Sequence, residues 1–237
     1  MDSFKDMKRF FSLVIAETVL SLLFLIPASG EAGLNLGIST GYYLPSFGRI
    51  NQQLVRYYNN VYGTNLKLRD GLVSGVQVEL EFPSGFKIRV ENFSFKAITQ
   101  DSYSVDSAPY RQQVDHDIKV TTNPFFISGI WDVSLEESFS LYLGCGIGIF
   151  PTDVRLFGTT KYYSGSTLVS QESWADWQRS DPIGFQYLGG FRHTFKGGLT
   201  ISGEMKIFAV AMAELDNLST SVDWNGPLFS LVASYRF

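Results

Sequence analysis

The stretch GVQVELEFPSGFKIRVEN, residues 75–92, contains two runs of alternating side chains around a short turn at Pro83-Ser84-Gly85. The apolar positions are Val76, Val78, Leu80, Phe82, Phe86, Ile88 and Val90, and the polar positions between them are Gln77, Glu79, Glu81, Lys87, Arg89 and Glu91. Strict alternation over each run predicts two strands, and the Pro-Ser-Gly sequence predicts the tight turn that joins them. These residues therefore indicate a β-hairpin with one apolar and one charged face.

Pairing across this turn sets Glu81 opposite Lys87 and Glu79 opposite Arg89. Opposite charges that face each other on neighbouring strands are favourable pairs. They do not decide which face is buried, since a soluble barrel and a membrane barrel place their apolar faces on opposite sides.

The same alternation recurs along the chain and predicts eight strands. They cover residues 33–43, 71–82, 86–98, 116–133, 139–154, 182–195, 199–212 and 226–237. Short connections at 83–85, 134–138 and 196–198 alternate with long ones at 44–70, 99–115, 155–181 and 213–225. In an up-and-down barrel, alternate connections lie at the same end, so one rim is short and the other is elaborated. We therefore predict an all-β, eight-stranded antiparallel transmembrane barrel with short periplasmic turns and long extracellular loops.

The fifth predicted strand indicates which face meets lipid. In LYLGCGIGIF, residues 141–150, Gly144, Gly146 and Gly148 share one face. Glycine weakens a strand, so three on one face suggest close approach inside a narrow barrel, where long charged side chains need room. The apolar face then faces lipid. The predicted interior charges are Glu79, Glu81, Lys87, Arg89, Glu91, Arg192, Glu204 and Lys206, with Arg192 diagonal to Glu204. Because a buried charge needs a partner, four acids and four bases predict a salt-bridged plug rather than an open channel.

Aromatic residues cluster by end, as expected of two interfacial girdles. Phe82, Phe86, Trp131, Phe139, Phe195, Tyr235 and Phe237 lie at the short-turn end, and Tyr42, Phe125 and Phe229 lie nearer the other end.

The N-terminus has the pattern of a secretory signal peptide. Lys5, Lys8 and Arg9 precede an apolar run that ends in small residues. We predict a signal peptide over 1–30, with cleavage after 32 as the alternative, and a barrel domain over 31–237. An uncleaved anchor is the less favoured alternative, because Glu17 lies inside the apolar run.

Composition and the scarcity of histidine limit the functions to consider. The net charge of −4 does not indicate nucleic-acid binding, and the single cysteine, Cys145, excludes an intrachain disulfide. His193 is predicted to lie on the lipid-facing side. His116 lies between Asp115 and Asp117, but adjacent strand residues point to opposite faces, so it forms a poor catalytic dyad with either. It is predicted to be a solvated residue at the outer rim. We therefore predict no catalytic, cofactor-binding or metal site and no enzymatic activity.

The long loops carry the features that favour surface recognition. FGRINQQLVRYYNNVYG, residues 47–63, places Ile50, Leu54, Tyr58 and Val61 at helical spacing, which predicts a short amphipathic helix across the outer rim. Residues 152–178 predict a protruding hairpin around Ser164-Gly165-Ser166. The loops also carry Tyr162, Tyr163, Trp174 and Trp177, which we expect to be exposed. Loops on a rigid scaffold are common recognition sites, so these loops are candidates for binding a surface ligand.

The terminal stretch LFSLVASYRF, residues 228–237, alternates to the last residue and resembles the C-terminal signature of bacterial outer-membrane proteins. With the signal peptide, the eight strands and LYLGCGIGIF, it is similar to the small barrel class that includes the OmpA transmembrane domain, OmpX and OmpW. That resemblance implies an outer-membrane location, contact with outer-membrane lipids, and reading of Tyr235 and Phe237 by barrel-assembly machinery after delivery by periplasmic chaperones.

The sequence leaves three functions to consider. The first is an envelope-structural or surface-interaction barrel with a closed interior. The second is a narrow OmpW-like channel for small or hydrophobic molecules, in which Pro124 and Gly129 loosen strand pairing and open a lateral exit. The third and least favoured is a lipid A-modifying enzyme.

Overall fold

The structure, a computed structural model, describes residues 33–107 and 110–237. The predicted signal peptide lies outside the described residues. The described residues form thirteen strands, in chain order β1 Gly33–Tyr43, β2 Gly71–Glu81, β3 Phe86–Ser107, β4 Tyr110–Thr122, β5 Phe125–Ser134, β6 Phe139–Ile149, β7 Thr152–Ser164, β8 Thr167–Ser180, β9 Ile183–Thr194, β10 Leu199–Val210, β11 Ala213–Leu215, β12 Thr220–Val222 and β13 Gly226–Arg236.

Eight of these strands close into a ring by antiparallel pairing. The order is β1, β2, β3, β5, β6, β9, β10 and β13, and β13 pairs with β1 from Asn35↔Arg236 to Tyr43↔Leu228. Closure gives every strand two neighbours and removes the free sheet edges that a bilayer does not tolerate. The predicted eight-stranded antiparallel barrel is confirmed.

Short turns join the strands at one end. The β2–β3 turn places Gly85 at φ +77°, and the β9–β10 turn places Gly197 and Gly198 at φ +101° and +90°. Glycine adopts positive φ without a Cβ clash, which is why these turns are so tight. The β5–β6 turn lies at the same end, so this rim is the trimmed one.

At the other end, three strands of the ring are each joined through a proline to a strand that lies beyond the ring. Pro124 separates β4 from β5, Pro151 separates β6 from β7, and Pro182 separates β8 from β9. Proline has no N–H to donate, but its carbonyl still accepts a bond. The amides of Phe93 and Phe150 donate to the carbonyls of Pro124 and Pro182 at 3.3 and 2.8 Å. Hydrogen bonding therefore continues across these prolines from the ring into the strands beyond it.

The outer half of β3 pairs with β4, β4 with β7, and β7 with β8. We call this four-stranded sheet the extension. Several predicted strand boundaries were wrong because the sequence analysis did not anticipate it. The predicted strand 86–98 runs on to Ser107, 116–133 is two strands, and 139–154 is parts of β6 and β7. Most of the predicted loops 99–115 and 155–181 are therefore strands. The other five predicted strands agree with the structure to within two residues, and the protruding hairpin around Gly165 is confirmed.

The first long loop contains the predicted helix. It comprises α1 Gly48–Ile50, a π-helical turn Asn51–Val55 and α2 Arg56–Tyr62, and it ends at Gly63 with φ +68°. We call these three segments together the rim helix. The buried apolar residues are Ile50, Leu54 and Val55, whereas Val61 is exposed. The prediction that Val61 lies on the buried face was wrong, because the wider π turn rotates the apolar face of the helix.

None of the helices among residues 33–107 and 110–237 has the length and apolar character needed to cross a bilayer.

Candidate functional site

The inward side chains in the short-turn half of the barrel form what we call the ionic layer, and Arg89 is at its centre. The Arg89 guanidinium donates through Nε and Nη2 to Oε1 of Glu79, at 2.7 and 2.6 Å, and through Nη1 to Glu204. Arg89 is 1% exposed. Two carboxylates on different strands thus compensate one buried cation.

Toward the outer end, the ionic layer continues through Lys206. Its ammonium pairs with Glu91 and lies 3.1 Å from Oε1 of Glu204. The Gln186 amide donates to Oε1 of Glu91 at 2.5 Å and to the Ser128 hydroxyl at 2.7 Å. Both carboxylates therefore receive more than one donor, as a charge removed from water requires.

Toward the short turns, Asp132 joins two bases. Its Oδ2 lies 2.9 Å from Nζ of Lys87 and 3.5 Å from Nη1 of Arg192. Glu81 lies 3.6 Å from Lys87 and 3.5 Å from Arg236, which is half exposed at the rim. The ionic layer thus reaches from the barrel centre to the periplasmic mouth.

All eight charges predicted from the sequence lie in this network, and the register places Glu79 opposite Arg89 and Glu81 opposite Lys87. Arg192 lies diagonal to Glu204 but pairs instead with Glu79, at 3.3 Å, and with Asp132. Sequence reasoning missed Asp132 and Arg236. Among the described residues the network has five acids and five bases: Glu79, Glu81, Glu91, Asp132 and Glu204 against Lys87, Arg89, Arg192, Lys206 and Arg236. Alternation through β5 would have found Asp132, since it follows the lipid-facing Trp131.

Sequence reasoning also missed Tyr142. Its side chain contacts three charged residues of the ionic layer. Its hydroxyl donates to Glu204 at 3.0 Å, and the guanidinium carbons of Arg192 and Arg89 lie 4.4 and 5.7 Å from its ring centre. A cation over an aromatic face is attracted by the ring quadrupole. A Cβ on Gly190 would lie 2.8 Å from the Tyr142 hydroxyl, so glycine there makes room for this contact.

The glycines of β6 make room for a different set of neighbours from the one predicted. A Cβ on Gly146 would lie 2.2 Å from the Ser128 hydroxyl, and one on Gly148 would lie 2.7 Å from the Phe126 ring. Both neighbours belong to β5, the adjacent strand. The prediction that these glycines face long charged side chains was wrong, because the nearest inward atoms come from the strand alongside.

In the outer half, the interior is filled by what we call the aromatic layer. Its members are Tyr43, Phe93, Phe95, Phe126, Phe150, Phe208 and Trp224, all fully or almost fully buried. Phe208 is central, with the rings of Tyr43, Phe126 and Phe150 at centroid distances of 5.3 to 5.5 Å. The two polar groups are satisfied: Trp224 donates to the Thr152 hydroxyl at 2.7 Å, and Tyr43 donates to the Trp224 carbonyl.

Sequence analysis missed the aromatic layer, although a signal was present. Phe125-Phe126, Ile149-Phe150 and Ile207-Phe208 are neighbouring apolar residues, and neighbours on a strand point to opposite faces. Each pair therefore supplies one side chain to lipid and one to the interior. These apolar pairs therefore lie at the level of the barrel where the inward side chains change from charged to apolar.

The rim helix and the extension form a folded roof, which we call the platform. Ile50, Leu54 and Val55 of the helix join one apolar cluster with side chains of the extension and the aromatic layer. The extension supplies Phe95, Ala97, Ile118, Val120, Val154 and Leu156. The inner face of the extension is thus covered by the helix.

His116 lies where the rim helix meets the extension, and it is 3% exposed. Its ring centre lies 4.5 Å from that of Tyr62 and 6.0 Å from those of Tyr58 and Trp174. Neither ring nitrogen has a hydrogen-bond partner among residues 33–107 and 110–237. The predicted solvated histidine is therefore a buried aromatic contact, because the helix, remote in sequence, covers it.

Burial lowers the pKa of His116 below its usual value, and the nearby carboxylates of Asp115 and Asp101 offset part of that shift. Burial also raises the pKa of Tyr58 to about 12, so its hydroxyl stays protonated. This junction is therefore stable with an uncharged imidazole.

The aromatic residues expected to be exposed on the hairpin differ in their surroundings. Trp177 is exposed, Tyr162 and Tyr163 are half-buried, and Trp174 packs against Tyr58 at 5.9 Å. The prediction for Trp174 was wrong for the same reason as that for His116.

His193 lies on the outward face, half-buried, with its ring 4.6 Å from that of Phe195. This is the lipid-facing position predicted for it. Among residues 33–107 and 110–237, no group of three or more His, Cys, Asp or Glu side chains is arranged to hold a metal ion.

The outward face of the ring is a continuous apolar belt. Its exposed members include Leu36, Ile38, Leu72, Val76, Ile127, Leu141, Leu143, Ile147, Ile183, Phe185, Ile201, Met205, Ile207 and Leu231. Exposed aromatic residues flank it, with Trp131, Phe195, Tyr235 and Phe237 at the short-turn end and Tyr42 and Phe229 toward the other. An apolar band between aromatic girdles on a closed barrel is the surface that a bilayer solvates.

The last strand is paired to its end. Tyr235 lies opposite Leu36 on one side and Leu199 on the other, and the Phe237 amide donates to the Leu34 carbonyl at 2.9 Å. The rings of Tyr235 and Phe237 lie 5.0 Å apart on the lipid side.

No family model matches the sequence. No curated protein matches it either. Among solved structures, the chain is similar to Neisserial surface protein A (14% identity, 88% of this chain and 98% of that one, TM-score 0.45). It is also similar to Ail of Yersinia pestis (15%, 87% and 99%, 0.34) and to the N-terminal barrel domain of OprF from Pseudomonas aeruginosa (8%, 88% and 100%, 0.42). Likenesses this distant carry nothing about function to this chain. Its own closed ring, trimmed rim and apolar belt identify the protein as an eight-stranded β-barrel of the bacterial outer membrane.

Proposed function

We propose that this protein is a closed, non-conducting barrel that presents a rigid platform at the cell surface, in an envelope-structural or surface-interaction role. The observation that carries the proposal is the double filling of the barrel, with an ionic layer below an aromatic layer. The roof above them is folded and packed, which favours recognition by a defined surface.

The filled interior supports a closed state. An eight-stranded barrel is only wide enough for side chains to fill it. Ions that crossed the ionic layer would have to separate Arg89 from Glu79 and Glu204, and would then meet the rings around Phe208. Passage through either layer would break buried contacts, and no water would be present to replace the lost interactions.

Two observations oppose the alternatives of a lateral channel and an enzyme. Gly129 is paired in register with Ile88 on one side and Cys145 on the other, so strand pairing continues past it. In the part of the chain that the structure describes, the ring nitrogens of His116 have no hydroxyl or carboxylate at hydrogen-bond distance. An acyl-transfer base would need such a partner.

Planar-bilayer recording of the purified protein tests the closed state. We expect no steady conductance from the wild type, and the same from Glu79→Gln/Arg89→Gln, because the aromatic layer remains. Steady wild-type conductance that disappears in the double variant would overturn the proposal and favour a channel through the ionic layer.

We also propose that Tyr235 and Phe237 serve as the assembly signal read by the barrel-assembly machinery, with periplasmic chaperones delivering the chain. Phe237→Ser should lower the folded fraction in cells, measured by heat-modifiable gel mobility. Phe195→Ser, another exposed lipid-side ring at the same end, is the matched control. An equal loss in both variants would indicate a general packing effect and not a signal.

We further propose that a signal peptide is removed after Gly30 or Ala32. N-terminal sequencing of protein from outer membranes should begin at Glu31 or Gly33. Recovery of an intact N-terminus would contradict this.

A further inference from the structure

A row of bases crosses the outward face of the extension. The register pairs Ile98 with Lys119 and Lys119 with Arg155, and Lys96 lies two residues from Ile98 on the same face of β3. Three bases from three neighbouring strands therefore lie side by side on a surface that faces away from the apolar core.

These bases lack the acidic partners that other bases on the extension have. Lys161 pairs with Asp115 at 3.3 Å and Arg179 with Asp181 at 3.1 Å. Within the described part of the chain, Lys96, Lys119 and Arg155 form no ion pair. Asp117 and Asp153 lie on the same face, but neither pairs with these bases, and Asp117 accepts a hydrogen bond from Gln100 at 2.8 Å.

Lys119 directly opposite Arg155 is an unfavourable arrangement, because like charges on facing strand positions repel. An anion bound between them would turn that repulsion into attraction. A negatively charged ligand at this position would therefore interact favourably with both bases.

A groove beside Lys96 extends the row. It has a volume of about 480 Å³, and Lys67 and Arg69 of the segment before β2 line it together with Lys96. Asp70 also borders the groove, but its carboxylate accepts the Tyr42 hydroxyl. Five bases, Lys67, Arg69, Lys96, Lys119 and Arg155, thus form what we call the basic row.

The basic row adjoins the membrane. Strand β4 continues into β5 after Pro124, and the outward residues of β5 belong to the apolar belt. Apolar side chains are interleaved with the bases, since Ile98, Phe157 and Trp177 on the same face are 43–47% exposed. Aromatic residues mixed with Lys and Arg are typical of the membrane interface, where cations reach the headgroups.

We propose that the basic row binds the phosphate groups of outer-leaflet lipid headgroups, with the lipid's acyl chains against the apolar belt below. The occupant is a lipid and not a soluble anion, because the row continues directly into the lipid-facing surface. This proposal requires that the apolar belt of the barrel faces lipid. It does not require a closed interior or a role in surface recognition.

Native mass spectrometry of the full barrel in zwitterionic detergent, titrated with diphosphoryl lipid A, tests the proposal. We expect Lys96→Gln/Lys119→Gln/Arg155→Gln to weaken binding at least about 10-fold, because each base near an anionic headgroup makes a favourable electrostatic contribution. Lys96→Arg/Lys119→Arg, which keeps both charges, should retain wild-type binding.

The matched control is Arg111→Gln/Lys161→Gln/Arg179→Gln, which removes three charges from the same sheet, all of them paired with acids. It should change binding less than about 2-fold. Heat-modifiable gel mobility verifies that every variant is folded. Equal weakening in both triple variants would overturn the site, as would wild-type binding of dephosphorylated lipid A as tight as that of the diphosphoryl form. Displacement of the lipid by inorganic phosphate at millimolar concentration would reduce the row to a general anion site and overturn the lipid assignment.

Discussion

The barrel interior is ionic in its short-turn half and aromatic in its outer half, and the change occurs between successive inward residues. On β3 the inward series passes from Glu91 to Phe93, and on β10 it passes from Lys206 to Phe208. The same strands, with the same alternation, therefore build two different kinds of core. In the ionic layer each group depends on the charge of its partners, whereas in the aromatic layer each ring depends only on the volume around it.

The largest effect should come from removing one charge of the ionic layer. Arg89→Ala leaves Glu79 and Glu204 buried without their shared cation, and we expect a loss of about 4 kcal/mol in the free energy of unfolding. Urea unfolding in lipid vesicles measures it. Arg236→Ala, at the half-exposed rim, should cost at most about 1 kcal/mol. A loss that small for Arg89→Ala would mean that the interior is wet.

The aromatic layer should respond through cavity formation. Phe208→Ala removes a ring in contact with several others, and we expect a loss of about 3 kcal/mol that does not change with salt. Phe229→Ala, on the lipid side, is the control and should cost much less, because lipid fills the space. If the stability loss of Phe208→Ala depended on salt as that of Arg89→Ala does, the two layers would not be stabilised by different interactions.

Tight packing between β5 and β6 should give the next largest effect. Gly146→Ala forces a methyl group into the Ser128 hydroxyl, and we expect a loss of about 2 kcal/mol. Adding Ser128→Ala should recover part of this loss. Gly203→Ala is the control: its nearest neighbour is the lipid-exposed Phe191 ring, which can turn away. Equal losses at Gly146 and Gly203 would indicate that backbone effects dominate at both.

The smallest effect should be a pH dependence at the junction between the rim helix and the extension, around His116. Because burial lowers the pKa of His116, the unfolded chain binds a proton more readily than the folded one. The stability that His116 contributes is thus fully present above about pH 6.5 and is lost as the pH falls below that value. Trp174 fluorescence between pH 8 and 5 should report loosening of the rim helix, and His116→Phe should show less change. Tightening at acid pH in the wild type would mean that Asp101 and Asp115 dominate instead.

The ring could be predicted because its determinants are local. Alternation from Val76 to Glu91 fixes the faces, and the turn at Gly85 fixes which residues oppose each other. Period-2 patterns need no knowledge of the rest of the chain, so strand order and most of the interior charges follow from them.

The aromatic layer and the platform could not be predicted in the same way. Where Ile149 and Phe150 are both apolar, alternation no longer distinguishes lipid from core. His116 is buried by Tyr58 and Tyr62, more than fifty residues earlier in the chain, and no local pattern records that contact. These features depend on tertiary packing.

Tryptophan fluorescence tests the account most directly, with variants that retain only Trp131 or only Trp224. Trp131 is exposed on the lipid side and Trp224 is fully buried in the aromatic layer. In vesicles of brominated phosphatidylcholine we expect strong quenching of Trp131 and little of Trp224, and aqueous acrylamide should leave Trp224 unquenched. Quenching of Trp224 by acrylamide, or insensitivity of Trp131 to bromine, would contradict a sealed barrel with its apolar face in lipid.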